Sequence, residues 1–279
     1  MLTRLAALWR GAPVRSHSRR VLLAWWGAFA NGGGATLGDF HAVANVARWL
    51  GEHGVQSTII NGTRADFADI ATAPPDISDD GTYGCLAFVC GPLVLNRGMR
   101  KLLRTFRHMP KAAVGVSVID GKDINGRFDR IVARDSSEAT EFDLALAYES
   151  DKPLVTASRK RRLALCLRGM QKTYGAENCL SDLADDLFNE IAAAETDGHL
   201  VIDTVIHAGN EVADIERGFA TASVLCTTRM HGTIFALTNR IPFVAIDQIR
   251  GGAKVARIMD RVGWPWAYRA DTMNADAVK

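Results

Sequence analysis

Ser223-Val-Leu-Cys-Thr-Thr-Arg-Met-His-Gly-Thr-Ile-Phe-Ala-Leu237 is the stretch on which the fold turns. Ser223 to Cys226 is a short apolar run of strand character. Thr227, Thr228 and Arg229 interrupt it, and Met230 to Thr238 continues at helical length. A buried strand that passes through a tight polar turn into a helix is half of a β-α-β unit, so a parallel sheet covered by helices is expected.

The same alternation extends in both directions. Toward the C-terminus it predicts a strand at Pro242 to Ile246 and a helix at Lys254 to Arg261. Toward the N-terminus it predicts a strand at Leu163 to Leu167, a helix at Ser181 to Ala194, a strand at Leu200 to Ile206 and a helix at Asn210 to Ala220. The first half reads as a strand at Val21 to Trp26, a glycine-rich loop at Ala30 to Gly38 and a helix at Asp39 to Glu52. Strands follow at Gln56 to Asn61 and Cys85 to Cys90, then a basic helix at Arg97 to His108 and strands at Ala112 to Val118 and Arg130 to Ala133. Ala71 to Gly81, with Pro74-Pro75 and several aspartates, reads as loop. Between the halves, Ser150 to Arg162 turns polar and basic. The expected organisation is therefore a basic leader at 1–20, a first domain at 21–155 and a second at 156–279. The fold class is α/β: two Rossmann-like parallel-sheet domains facing a cleft.

Composition narrows the function classes. The 279 residues are enough for two domains and a large core. The 33 basic and 31 acidic side chains leave a net charge of +2, without the global positive field on which nucleic-acid binders rely. Cys85, Cys90, Cys166, Cys179 and Cys226 are odd in number and lack close pair spacing, which suits buried thiols of a reduced, cytoplasmic protein. The histidines form no His-x-x-x-His pair, so no metal centre is expected. No apolar run is long enough to span a bilayer. Residues 1 to 20 hold five arginines and no acid. They read either as a solvated leader or as a basic amphipathic segment lying on anionic lipid at the cytoplasmic membrane face. The apolar run after them holds two tryptophans and leads into a glycine-rich turn, so a strand is preferred to a signal peptide.

Three clusters carry candidate chemistry. Arg229, His231 and Gly232 fall where a strand gives way to a helix, the edge at which open α/β sheets bind ligands. The helix start favours an anion, and arginine offers a fork for phosphate or carboxylate. An imidazole exchanges a proton near neutral pH, and a glycine admits a ligand or a second backbone at close range. Arg134, at the end of another apolar strand, is followed by Asp135 and Ser136, either of which suits a helix cap. Asn31-Gly-Gly-Gly-Ala-Thr-Leu-Gly-Asp39 is a glycine-rich turn, but Leu37 stands where a dinucleotide fingerprint needs its third glycine. Walker and Gly-x-Ser-x-Gly patterns are absent.

Taken together, Asn31…Gly38-Asp39, Arg134-Asp-Ser136, Arg229-Met-His-Gly232 and Ile241-Pro-Phe-Val-Ala-Ile-Asp247…Gly251-Gly-Ala-Lys-Val255 resemble the polysaccharide pyruvyl transferases. The resemblance implies a GT-B-like pair of domains, with the acceptor side in the first and the donor side in the second. It implies transfer of the enolpyruvyl portion of phosphoenolpyruvate to a sugar or lipid-linked oligosaccharide, with no cofactor and no nucleic acid. His231 and Arg229 would be catalytic. Arg134, Arg168, Asp39, Asn31, Gly232 and Lys254 would bind substrates; Asp39 reads equally as a helix cap, and Lys254 as a solvated lysine. Trp264 and Trp266 read as sugar-stacking or packing residues. Where the family often has a glycine triplet, this chain has Cys90-Gly91-Pro92. The alternatives are a GT-B-type glycosyltransferase using a nucleotide sugar and a catalytically silent homologue.

Overall fold

The structure is a computed structural model that describes residues 20–29, 34–118, 124–134, 143–147 and 162–278. Asn31, Asp135, Ser136 and the leader up to residue 19 lie outside the described residues. The chain divides into two compact units, Met1–Tyr148 with Val205–Val212, and Glu149–Thr204 with Ala213–Lys279. Against the expected cut between 155 and 156, the boundary falls between Tyr148 and Glu149, and the segment Val205–Val212 joins the first unit.

In the first unit, β1 (Arg20–Ala24), β2 (Gln56–Ile60), β3 (Thr72–Ala73), β4 (Cys85–Val89), β5 (Pro92–Leu93) and β6 (Lys111–Val118) form a parallel sheet in the order β3-β2-β1-β4-β6-β5. β7 (Arg130–Ala133) also pairs with β6. β1 is flanked on both sides, by β2 and β4, and Val21 to Ala24 are buried. A strand enclosed in this way has no wet face, which is why its sequence is a continuous apolar run rather than an alternation. β3 corrects the loop expected at Ala71 to Gly81: its two residues pair with Ile59 and Ile60 just before Pro74 ends the ladder.

Helix α1 (Leu37–Glu52) packs almost wholly buried. A capping box starts it. The Thr36 backbone N–H donates to Asp39 Oδ2 at 3.1 Å, and the Asp39 N–H donates back to Thr36 Oγ1 at 3.4 Å. Trp25, fully buried, meets Phe67 edge-on at 5.5 Å and donates its indole N–H to the Ile60 carbonyl at 2.9 Å.

The second unit is built on β8 (Leu163–Cys166), β9 (Leu200–Val201), β10 (Val224–Thr227), β11 (Phe243–Asp247) and β12 (Ala267–Arg269), all parallel, in the order β12-β11-β10-β8-β9. Helix α3 (Ser181–Ala193, following α2 at Arg97–Thr105) lays Ala184, Leu187 and Phe188 on Leu163, Leu165 and Cys226. Helix α5 (Met230–Thr238, following α4 at Val212–Thr221) is buried from Met230 to Ala236. Helix α6 (Lys254–Val262) stops at Gly263, whose left-handed φ of 66° suits a residue without Cβ.

The strand expected at Leu200 to Ile206 is cut to Leu200–Val201. Val205 instead bridges Thr36 in antiparallel fashion, and the Ile206 N–H donates to the Ala35 carbonyl at 2.9 Å, inside the first unit. The apolar pattern is the same for either partner, so burial alone does not distinguish them. Among the described residues, no helix is long and apolar enough to cross a membrane.

Candidate functional site

The candidate site lies at the carboxyl edge of the second sheet, where the chain leaves β8 and β10. Thr227 ends β10 fully buried: its hydroxyl donates to the Cys166 carbonyl at 2.7 Å and accepts the Arg229 backbone N–H at 3.0 Å. Thr228 accepts the Arg168 backbone N–H at 2.8 Å. The two threonines thus lock the loop after β8 beside the loop after β10, which places Arg168 and Arg229 on one edge.

The Arg229 side chain is fixed at three points. Nε donates to the Leu167 carbonyl at 2.6 Å, Nη1 to Thr204 Oγ1 at 2.9 Å and Nη2 to Asp203 Oδ1 at 3.2 Å. Three of the five N–H donors of the guanidinium are therefore engaged. His231 follows in the first turn of α5 and is buried. Gly232 is explained by packing: a Cβ there would stand 2.3 Å from Thr227 Oγ1 and 3.2 Å from Cys166 Sγ. The close approach expected at this glycine is thus made by the sheet beneath the helix.

Asp185, on α3, is a residue that sequence reading missed. Its Oδ1 is buried without a hydrogen-bond partner. Burial holds its carboxyl above the usual value of 3.8, Asp182 and Asp186 add to the rise, and Arg229 opposes it. The chain offered one legible signal, a cluster of three aspartates in the first turns of a helix, but a cluster of that kind is usually solvated. Because the folded chain keeps this proton at pH values where the unfolded chain has lost it, stability falls as pH rises from 3.8 through the raised value. Asp185→Asn is therefore expected to raise the melting temperature at pH 7, with the gain shrinking at pH 4. Thermal unfolding followed by circular dichroism checks this, and an unchanged or lower melting temperature at pH 7 contradicts it.

Other expected site residues take defined places. Lys254 opens α6, with Nζ 6.0 Å from the centre of the Tyr174 ring. Asp247, buried at the end of β11, accepts the N–H groups of Ile249, Ala253 and Ala256 and so shapes the loop that leads into α6. Trp264 stacks on Phe243 at 4.2 Å with the rings 3° apart, so its face is used in packing, whereas Trp266 is exposed.

In the first unit, Asp39 is the acidic member of the α1 capping box. Arg134 is buried and ion-paired with Asp143 at 2.6 Å, and its Nη1 also lies 2.8 Å from Cys90 Sγ. The Arg134 guanidinium is thus engaged by Asp143, Cys90 and Ser117. Cys90 takes a left-handed φ of 64°, a conformation that favours glycine, which gives a physical reason for a glycine triplet at this turn.

Burial pushes the Cys166 thiol up to about 11 despite the opposing field of Arg229, and holds the Cys90 thiol well above its ordinary value despite Arg134. Neither is a thiolate nucleophile at neutral pH. Within either unit taken alone, the described residues bring no three metal-ligating side chains together.

The chain resembles the solved structure of a functionally uncharacterised protein, KP1_0663, from Klebsiella pneumoniae subsp. pneumoniae NTUH-K2044. The TM-score is 0.54 at 10% identity, over 96% of this chain and 98% of that one. This likeness is one of fold alone. A second solved structure, the glycotransferase of kitacinnamycin, aligns with a TM-score of 0.41 and 12% identity over 92% of this chain and 87% of that one. No protein of curated function matches the sequence. Residues 180–248, the segment that carries Asp185, Asp203, Arg229, His231 and Gly232, match the family model of the polysaccharide pyruvyl transferases.

Proposed function

We propose that the chain is a transferase that moves the enolpyruvyl group of phosphoenolpyruvate to a sugar of a cell-surface polysaccharide or its lipid-linked precursor. The product is a pyruvate ketal, and phosphate is released. The observation that carries this reading is that Arg229 at the N-cap and His231 in the first turn of α5 share a parallel-sheet carboxyl edge, inside the segment 180–248 that matches the pyruvyl transferase family model.

The residues suit the steps. His231 delivers a proton to the methylene carbon, which becomes a methyl group and leaves an oxocarbenium-like centre at the adjacent carbon. A sugar hydroxyl attacks that centre, and a second hydroxyl displaces phosphate to close the ketal. Arg229 holds the phosphate or carboxylate of the donor, with Arg168 and Lys254 as further cations of the same unit. The chemistry as written calls on no metal or organic cofactor.

Calorimetric titration with phosphoenolpyruvate, and separately with nucleotide sugars, tests the reading. Phosphoenolpyruvate is expected to bind, and Arg229→Ala to weaken it by about 30-fold or more, the cost of removing one partner of a charged hydrogen-bonded contact. Binding of a nucleotide sugar alone would make the chain a glycosyltransferase. No binding of either, repeated with oligosaccharide acceptor present, would turn the assignment to a non-catalytic homologue.

A further inference from the structure

The second sheet reverses its strand order between β8 and β10: β8 leads outward to β9, and the chain then crosses to β10 on the other side. Arg168 and Arg229 follow those two strands. The first sheet has the same reversal between β1 and β4, because β1 leads outward to β2 and β3 before the chain crosses to β4. Open α/β sheets take ligands outside the carboxyl ends of their strands at such a reversal. The residues that follow β1 and β4 there include Trp26 and Asp39, and Cys90 and Gly91. Trp26 carries an indole N–H that is buried and meets no acceptor among the described residues. Its ring is held in place by Phe29 and Phe88, which meet it edge-on with centroids 5.4 and 6.1 Å away. A Cβ on Gly91 would stand 2.2 Å from Trp26 Nε1 and 3.5 Å from Asp39 Oδ1, so the indole nitrogen and a carboxylate oxygen converge on this glycine. One oxygen at about 2.9 Å from each spans a gap of that size.

We propose that Trp26 and Asp39 form a subsite for one hydroxyl of a neutral sugar, with the indole N–H donating to the hydroxyl oxygen and Asp39 Oδ1 accepting the hydroxyl hydrogen. A hydroxyl is the small group that both accepts and donates, and this pair asks for both. Native proteins leave few buried donors without a partner, because such a group costs stability that a ligand oxygen returns. Asp39 has capacity to spare. Its Oδ2 receives the Thr36 N–H and hydroxyl at 3.1 and 2.8 Å, and the carboxylate also accepts the Cys90 thiol, a weak donor. A carboxylate offers about four lone-pair sites. The charge of the place argues against an anion: Arg134, which reaches Cys90, is already paired with Asp143, and Asp39 repels a second negative group. The inference rests on the proposed function only for the identity of the ligand, since the sugar is then the acceptor of the transfer.

The experiment follows the indole N–H signal of Trp26 in the proton–nitrogen correlation spectrum of the full chain, identified by its loss in Trp26→Phe. Glucose, galactose, mannose, N-acetylglucosamine and inorganic phosphate are titrated in turn. At least one of the sugars is expected to move the signal saturably, and phosphate to leave it in place. Trp26→Phe keeps an aromatic ring and removes the N–H, with circular dichroism to confirm folding. It is expected to bind that sugar about two- to tenfold more weakly in calorimetry, the worth of one neutral hydrogen bond. If no sugar moves the signal, if phosphate alone does, or if Trp26→Phe binds the sugar as the parent does, the subsite is not there. The reading of the donor site is judged separately. Phosphoenolpyruvate binding that depends on Arg229 keeps that reading when the subsite falls, and sugar binding at Trp26 without any phosphoenolpyruvate binding keeps the subsite while the transferase reading falls.

Discussion

Arg134→Met is expected to destabilise the first unit by about 3–5 kcal/mol, the cost of breaking a buried ion pair from one side. Asp143 has a fully buried side chain. Its Oδ2 receives Arg134 Nη1 at 2.6 Å and its Oδ1 receives the Ala145 N–H at 2.8 Å. Methionine fills much of the volume but leaves the carboxylate charged and without its cation. Ser117, whose hydroxyl accepts Arg134 Nε at 3.3 Å, loses that donor as well. The double change Arg134→Met with Asp143→Leu removes both charges and is expected to recover most of the loss, because an ion pair replaced whole by apolar groups is often neutral or better. Urea unfolding of the two variants separates the effects. A single variant within about 1 kcal/mol of the parent would show that the pair is not enclosed as described.

His231→Asn is expected to lower the turnover of the proposed enolpyruvyl transfer by a factor of about 10² to 10⁴, the range for loss of a positioned general acid. Asparagine keeps a polar side chain at the start of α5 but has no proton to give at neutral pH. Phosphate release measured with an oligosaccharide acceptor present gives the rate, and phosphoenolpyruvate binding by calorimetry gives the affinity separately. A variant that keeps more than about a tenth of the parent rate would remove His231 from the proton step.

Much of the architecture was legible before any coordinates. The strand and helix that flank Arg229 fall within a residue or so of where periodicity places them, as β10 and α5. Apolar runs of four to six residues bounded by glycine, proline or charge are what doubly covered parallel strands require, and β1, β4 and β11 follow that pattern. Three of the elements of two or three residues were not legible. β3, β5 and β12 exist because a neighbouring strand supplies hydrogen bonds, and so short a segment carries no period of its own.

The candidate site divides along the same line. That an arginine, a histidine and a glycine occupy a strand-to-helix turn is a property of consecutive residues, and the sequence by itself determined it. Which cations are already spoken for was decided only by tertiary structure. Arg134 meets Asp143 nine positions away, and Arg229 meets Asp203 across 26 positions. The apolar Val205 and Ile206 turn to Thr36 and Ala35 instead of continuing β9. Hydrophobic periodicity reports which side of an element is dry; it carries no record of which distant partner a charge or a backbone amide will find. That choice is made when the sheet edges close, and it is there that Arg229 acquires Asp203 as its partner.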